Sequence, residues 1–168
     1  MKFRFLTVVA AAALLAACSS EPTTTAQNTD GGKVVAPQAV PAKPAAPSIV
    51  PGSQADFVAN VGDRVFFGFD KSDLTAESKA QLDKWVAFLA KYPADKLSVS
   101  GHADERGTEE YNQALGAKRA DAVKGYLLAK GVVAARLSTI SYGKTKPAVP
   151  GSNDDAWAKN RRAEGEIK

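Results

Sequence analysis

The sequence contains a single cysteine, Cys18, and a single histidine, His102. One cysteine excludes an intramolecular disulfide and any metal site built on several thiolates. One histidine leaves the usual zinc ligand sets without enough members. No serine stands in a Gly-x-Ser-x-Gly elbow, which removes a common hydrolase nucleophile. We therefore expect no metal or other cofactor, and no catalytic residues.

A hydrophobic run long enough to span a membrane is also lacking at the N-terminus, where Leu6–Ala17 is apolar over only twelve residues. As a helix this run would measure roughly 18 Å, against roughly 30 Å for a hydrocarbon core. Lys2 and Arg4 precede it, and a secretory signal at residues 1–17 is the prediction. Leu15-Ala16-Ala17-Cys18 resembles the bacterial lipobox and predicts lipidation of Cys18. The alternative is an ordinary signal followed by a cysteine without that role.

Neither sign of charge dominates the chain. It has 22 basic and 18 acidic residues, a net charge of +4, and Lys2 and Arg4 would leave with the signal. No run of basic residues is present either. This balance gives no support for nucleic acid as a partner.

Large apolar side chains are scarce between residues 18 and 55, where Pro, Ala, Thr and Gln prevail. Such a composition cannot bury enough surface to offset the entropy of ordering the chain. We predict that residues 18–55 are the lipidated cysteine and a disordered tether. Residues 56–168 have a globular composition, and roughly 113 residues suffice for one core.

Hydrophobic periodicity within residues 56–168 predicts an α/β domain. The predicted strands are Arg64–Phe67, Leu97–His102, Leu137–Tyr142 and Arg161–Ile167, and the helices run from N-cap Thr75 to Tyr92, from N-cap Thr108 to Gly131, and over Ala156–Asn160. One stripe on the long second helix comprises Tyr111, Leu115, Ala122, Val123, Tyr126 and Leu127. The order indicates a β-α-β-α-β-β sandwich, with helices packed on a small mixed sheet. Gly165 weakens the last strand and leaves its length open.

Arg119 interrupts the apolar stripe of the second helix, and a guanidinium there is costly unless it is paired. It could extend its head to water, close an internal ion pair, or bind a ligand. Asp70 follows the first strand, while Asp104 and Glu105 follow the second. Two carboxylates and an arginine could hold a zwitterion, although each aspartate taken alone could be a cap or turn residue.

A specific resemblance is carried by several of these segments. Gly68-Phe69-Asp70, Gly101-His102-Ala103-Asp104-Glu105-Arg106-Gly107-Thr108, and Tyr111-Asn112-Gln113-Ala114-Leu115-Gly116-Ala117-Lys118-Arg119-Ala120 resemble the OmpA-like peptidoglycan-binding domain family. Ser141–Lys144 and Lys159–Arg162 continue the match, which covers roughly residues 60–165. The long central string and the lipobox are closest to the lipoprotein members of that family.

The resemblance implies non-covalent binding to diaminopimelate in the stem peptide of peptidoglycan. Asp104 and Arg119 match the two principal ligand positions of the family, and Asp70 matches a third. The remaining matched positions are Phe69, Thr108 and Leu115, which line the pocket, and Arg106, Gly107 and Asn112, which lie near the ligand. Arg161 and Arg162 could be adjacent to the site, but we expect salt-bridged arginines on the surface.

The resemblance also implies partners and a location. The partners are peptidoglycan, TolB and other Tol proteins, and the location is the outer membrane, because Ser19 replaces the aspartate of an inner-membrane retention signal. Two other functions remain open. An enzyme could use His102 as a general base beside Asp104. A related OmpA-like lipoprotein could act mainly as a protein-interaction module, without a Tol role.

Overall fold

The computed structural model describes residues 49–168. The predicted signal at residues 1–17, the lipid site Cys18 and most of the predicted tether lie outside the described residues. The first described helix, α1, begins at Gln54 and overlaps the last two residues assigned to the tether. Gln54 joins α1 to the last strand, because its side chain donates to the carbonyl of Gly165 and accepts from the amide of Ile167.

The elements alternate along the chain as the sequence predicts. They are α1 (Gln54–Asp56, continued by a π-helical turn at Phe57–Val61), β1 (Arg64–Phe66), α2 (Ala76–Lys91), β2 (Leu97–His102), α3 (Glu109–Ala129), a 3-10 turn (Ala134–Arg136), β3 (Leu137–Gly143), α4 (Asp154–Asn160) and β4 (Arg162–Ile167). Both predicted N-caps are confirmed, since Thr75 accepts from the amide of Ser78 and Thr108 from that of Tyr111.

The four strands form one mixed sheet in the order β1-β4-β2-β3. The last strand β4 lies antiparallel between β1 and β2, and β2 pairs in parallel with β3. A parallel pair needs a long crossover connection, which α3 supplies. The predicted sandwich of helices on a small mixed sheet is confirmed.

The weak-looking last strand is complete over six residues and lies in the interior of the sheet. Glycine is favoured at position 165 because a Cβ there would stand 3.0 Å from the ring of Trp85, a tight contact that the ring would have to relieve by shifting. Trp85 is fully buried beneath the sheet. A residue that looks unfavourable for a strand therefore makes room for the largest side chain of the core.

The buried core lies between the sheet and helices α2 and α3. Its principal members are Phe57, Val65, Leu82, Trp85, Leu89, Leu97, Val99, Val123, Leu127 and Ala163. The predicted stripe on α3 is only partly correct, because the face that is buried carries Asn112, Gly116, Arg119, Ala120, Val123 and Leu127. Tyr111 is 53% exposed. The stripe predicted from large apolar side chains is therefore rotated about the helix axis relative to the face that is buried.

The close approach of α3 to β2 explains that rotation. A Cβ on Gly101 would lie 1.8 Å from the carbonyl oxygen of Gly116, and one on Gly116 would lie 2.4 Å from Oγ of Ser141. The helix can approach the sheet so closely only where both elements lack side chains. Glycine, alanine and asparagine therefore replace larger residues along this part of the buried face.

We expect Gly101→Ala to destabilise the fold by about 3 kcal/mol, because overpacking against backbone cannot be relieved by a rotamer change. Gly125→Ala is the matched control in α3, where an added Cβ meets no atom within 4 Å. That change should stabilise by about 0.5–1 kcal/mol through helix propensity. Urea unfolding of both variants measures the difference, and equal free energies of unfolding would contradict the close approach.

Candidate functional site

Loops at one end of the sheet enclose a pocket of about 210 Å³ with the N-terminal turns of α3. Its lining residues are Phe69, Asp70, Asp104, Arg106, Gly107, Tyr111, Asn112, Leu115 and Arg119. Eight of the nine residues predicted from the sequence line it. The ninth, Thr108, lies at the rim as the N-cap of α3. Tyr111 also lines the pocket, although it was predicted as part of the apolar stripe on α3.

Asp104 is the buried carboxylate of the pocket, with 5% of its surface exposed. The guanidinium of Arg106 holds both of its oxygens, Nε to Oδ1 at 3.3 Å and Nη2 to Oδ2 at 2.7 Å. Arg161 adds a longer contact from Nη1 to Oδ2 at 3.4 Å. Burial alone would raise the pKa of Asp104, but the bonds from Arg106 outweigh it and hold the pKa below its usual value. Asp104 is therefore ionised at neutral pH.

Arg106 lies between two aromatic rings. Its guanidinium carbon is 4.1 Å from the ring centre of Phe69 and 4.0 Å from that of Trp157. Trp157 comes from α4 and donates from Nε1 to Glu105 at 3.0 Å. Contact with two aromatic rings favours this position of the charged guanidinium at the mouth of the pocket.

Arg119 is fully buried, so its head does not extend to water, and no carboxylate of residues 49–168 forms a direct ion pair with it. Nε, Nη1 and Nη2 donate to the carbonyls of Lys71, His102 and Gly68 at 2.8, 2.6 and 3.2 Å. Burial lowers the pKa of Arg119 to about 10, so the group stays charged at neutral pH. Since a guanidinium has five N–H groups, these three bonds leave two for the pocket.

Arg119 thereby joins the loop after β1 to the end of β2. Asp70 in the first loop has φ of 57°, a left-handed conformation that aspartate tolerates better than most residues. Its carboxylate accepts a hydrogen bond from the hydroxyl of Tyr111. That bond raises the pKa of Tyr111, which keeps the phenol protonated. Asp70 and Asp104 are thus presented to one pocket from two loops.

Asn112 stabilises the loop that carries Asp104. It is almost fully buried, and its Nδ2 donates to the carbonyls of Arg106 at 2.8 Å and Thr108 at 3.0 Å. Gly107 between them has φ of 93°, which a residue with a Cβ rarely adopts. Asn112 therefore holds the loop from Arg106 to Thr108 in place at the pocket. The sequence resemblance alone did not indicate this supporting role.

The prediction of Arg161 and Arg162 as surface residues is wrong. The side chain of Arg161 is 16% exposed and donates to the carbonyl of Phe67 as well as to Asp104. Arg162 is 4% exposed and pairs with Glu164 at 2.7 Å. Both arginines occupy a sheet end where carbonyl and carboxylate acceptors converge, and Arg161 is adjacent to the site through Asp104. No local pattern in the sequence indicates these acceptors.

His102 points away from the pocket, since its ring lies on the opposite face of the sheet with Ser100, Tyr142 and Glu164. It is 2% exposed, and Nδ1 has no hydrogen-bond partner among the described residues. Burial, and next the charge of Arg162, lower its pKa to about 4. The ring is neutral above that pH.

Two further features of residues 49–168 concern metal binding and membrane spanning. These residues contain no group of three or more His, Cys, Asp or Glu side chains arranged to hold a metal ion. None of their helices combines the length and the apolar character needed to cross a bilayer.

Comparison with known proteins agrees with this architecture. The OmpA family matches residues 66–161. Peptidoglycan-associated lipoproteins from Rhizobium meliloti and Haemophilus influenzae are 52% identical over 113 residues and 59% identical over 99 residues. These matches cover 67% and 59% of this chain, and 64% and 65% of the relatives.

A solved structure shows the same similarity to the peptidoglycan-associated lipoproteins. The crystal structure of the peptidoglycan-associated lipoprotein from Burkholderia pseudomallei superposes with a TM-score of 0.61 at 39% identity, covering 63% of this chain and 90% of that one. The chain belongs to the OmpA family. Within that family, its similarity is to the peptidoglycan-associated lipoproteins. The chain spans slightly less than two thirds of the length of the first two lipoproteins it matches.

The buried histidine predicts a pH dependence of stability. In the unfolded chain His102 titrates near pH 6.5, whereas its folded pKa is about 4, so the unfolded state binds more protons between these values. The contribution of neutral His102 to the free energy of unfolding is fully present above about pH 6.5 and is lost as pH falls toward 4. We expect a loss of about 2 kcal/mol between pH 7 and pH 5. In urea unfolding, His102→Gln should remove most of this slope, and an unchanged slope would contradict the assignment.

The three carbonyl bonds of Arg119 predict that Arg119→Lys destabilises the domain by about 2–3 kcal/mol, because one ammonium cannot reach all three acceptors. Arg64→Lys changes an arginine that is half exposed and should alter stability by less than about 0.5 kcal/mol. Thermal and urea unfolding of both variants check this. Equal effects would show that the buried bonds contribute little.

Proposed function

We propose that this chain binds peptidoglycan non-covalently, by holding the free amino-acid end of diaminopimelate in the stem peptide. The observation that gives the strongest support is the charge pattern of the pocket. Two aspartates and two arginines line a cavity of about 210 Å³. Carboxylates suit the ammonium group of an amino acid, and a planar guanidinium suits its carboxylate. The volume fits such an end group better than a disaccharide.

The same chemistry requires an unblocked amine on the ligand. When the second amine of diaminopimelate is acylated by a cross-link, it loses its charge and one or more donors. Asp104 and Asp70 would then face an amide in place of an ammonium group. The pocket should therefore favour stems that are not cross-linked at this position, and equal binding of an acylated stem would contradict the proposal.

We propose that the domain binds without catalysis. The lining of the pocket contains neither serine, cysteine nor lysine, and the ring of His102 lies on the other face of the sheet. A hydrolase needs a nucleophile and a base within hydrogen-bond reach of each other. Asp104, the buried acid of the site, is already engaged by Arg106 and Arg161.

We further propose that a lipid on Cys18 attaches the chain to the outer membrane, with the domain facing the periplasm. Weak binding by each domain would still connect membrane and wall, because many copies act in parallel. The expected role is envelope integrity and membrane constriction at division, together with TolB and other Tol proteins. TolB and peptidoglycan would compete if their surfaces on the domain overlap. A TolB affinity that stayed unchanged at saturating muropeptide would contradict the overlap, and no TolB binding at all would favour a lipoprotein without a Tol role.

The decisive test replaces the carboxylate of Asp104 and keeps its shape. With Asp104→Asn we expect the affinity of the full chain for a diaminopimelate-containing muropeptide to fall by at least about tenfold, because a charged hydrogen bond to the ligand is lost. Calorimetric titration in detergent micelles measures it.

Asp73→Asn is the matched control, since Asp73 is exposed in the neighbouring loop and does not line the pocket. It changes the net charge by the same amount and should bind as the parent does. Parent protein that is folded but does not bind would refute the proposed function. Binding that survives in Asp104→Asn would place the ligand elsewhere.

A further inference from the structure

Asp104 and Arg106 form a closed ion pair inside the pocket. Both carboxylate oxygens accept from the Arg106 guanidinium in a fork, and the backbone amide of Arg106 adds a third bond to Oδ1 at 3.2 Å. An ammonium group that approaches Asp104 must therefore compete with a bidentate guanidinium. Forked pairs of this kind are among the stronger polar contacts in proteins.

Competition of this kind is costly unless the displaced guanidinium finds another anion. Arg106 is partly exposed, with 34% of its side chain accessible, whereas Asp104 is nearly buried. A simple amine would take the carboxylate and leave a half-buried cation without a partner, which is unfavourable. A zwitterion brings its own carboxylate, so that both Asp104 and Arg106 have a partner after the exchange.

The surroundings of Arg106 favour such an exchange. The rings of Phe69 and Trp157 both lie about 4 Å from the guanidinium carbon, so a rotation about that carbon would keep the group in contact with both rings. Within the described residues, Nη1 of Arg106 donates no hydrogen bond, which leaves two N–H groups for an incoming carboxylate. Arg119 alone is less suited to bind the ligand carboxylate, because three of its donors are bound to backbone carbonyls.

We propose that Arg106 is a specificity-determining residue that exchanges Asp104 for the carboxylate of the ligand, so that the pocket selects zwitterions over lone amines. No covalent bond changes in this exchange; two ion pairs replace one ion pair and one solvated zwitterion. The inference rests on the proposed function, since it concerns ligands of the same pocket. It adds which arginine takes the free carboxyl of diaminopimelate, and which ion pair of the protein that contact replaces.

The experiment compares two ligands and three variants by calorimetry, with the full chain in detergent micelles. The ligands are a stem tripeptide that ends in diaminopimelate, and the same tripeptide with the carboxyl beside the free amine converted to a carboxamide. The parent protein should bind the acid at least about tenfold more tightly than the amide, as expected for a lost charged hydrogen bond.

Arg106→Gln should reduce this ratio to less than about threefold, mainly because the amide binds better once Asp104 has lost its competitor. Arg106→Lys keeps the charge without the fork and should give an intermediate ratio. Lys118→Gln is the control for net charge, because Lys118 is exposed on α3 and does not line the pocket. Its ratio should equal that of the parent.

Trp157 supplies a second readout that a merely structural role would not change. The acid should alter tryptophan emission in the parent because Arg106 pivots against the ring, and Trp157→Phe should abolish this change while the buried Trp85 remains. If the parent binds neither tripeptide, the proposed function fails. If the parent binds both equally, or Arg106→Gln keeps the parent ratio, wall binding stands and the exchange is wrong.

Discussion

The burial of one guanidinium organises this domain. Arg119 projects from a helix to the buried base of the pocket, and most of its donors must be satisfied by protein acceptors. The acceptors are carbonyls from two separate segments, Gly68 and Lys71 in the loop after β1 and His102 at the end of β2. The loop after β1 and the end of β2 are therefore held at fixed positions, and with them the two aspartates of the pocket.

The charges around this centre form layers. Arg119 lies deepest and faces carbonyls, Asp104 lies next and faces Arg106 and Arg161, and Arg106 lies outermost between two aromatic rings. Each buried charge is compensated by the layer beside it, which is the condition for charges to be retained in a small domain. The outermost pair has the most exposed member and is the one that a ligand can rearrange.

The sequence predicted the strands, the long helices and their N-caps because periodicity and capping are local properties. It placed the buried face of α3 incorrectly, since contact between Gly101 and Gly116 replaces large side chains by small ones and leaves Tyr111 for the pocket. The site residues came from a motif resemblance, and spacing alone left Arg119 with three possible environments. The acceptors that bury Arg161 and Arg162 are backbone and side-chain atoms distant in sequence, so no local pattern could indicate them.

The position of α1 has a mechanical consequence. Gln54 joins the incoming chain to the C-terminal end of β4, while the pocket lies beyond the opposite end of that strand, where Arg161 contacts Asp104. If the chain is anchored to a membrane through its N-terminal side and binds the wall as proposed, tension would enter the domain near Gln54 and leave it at the pocket, along the length of β4. The hydrogen bonds of β4 to β1 and β2 would then be loaded together in shear, not opened one after another. A strand that reads as weak in the sequence is the one placed to carry that load.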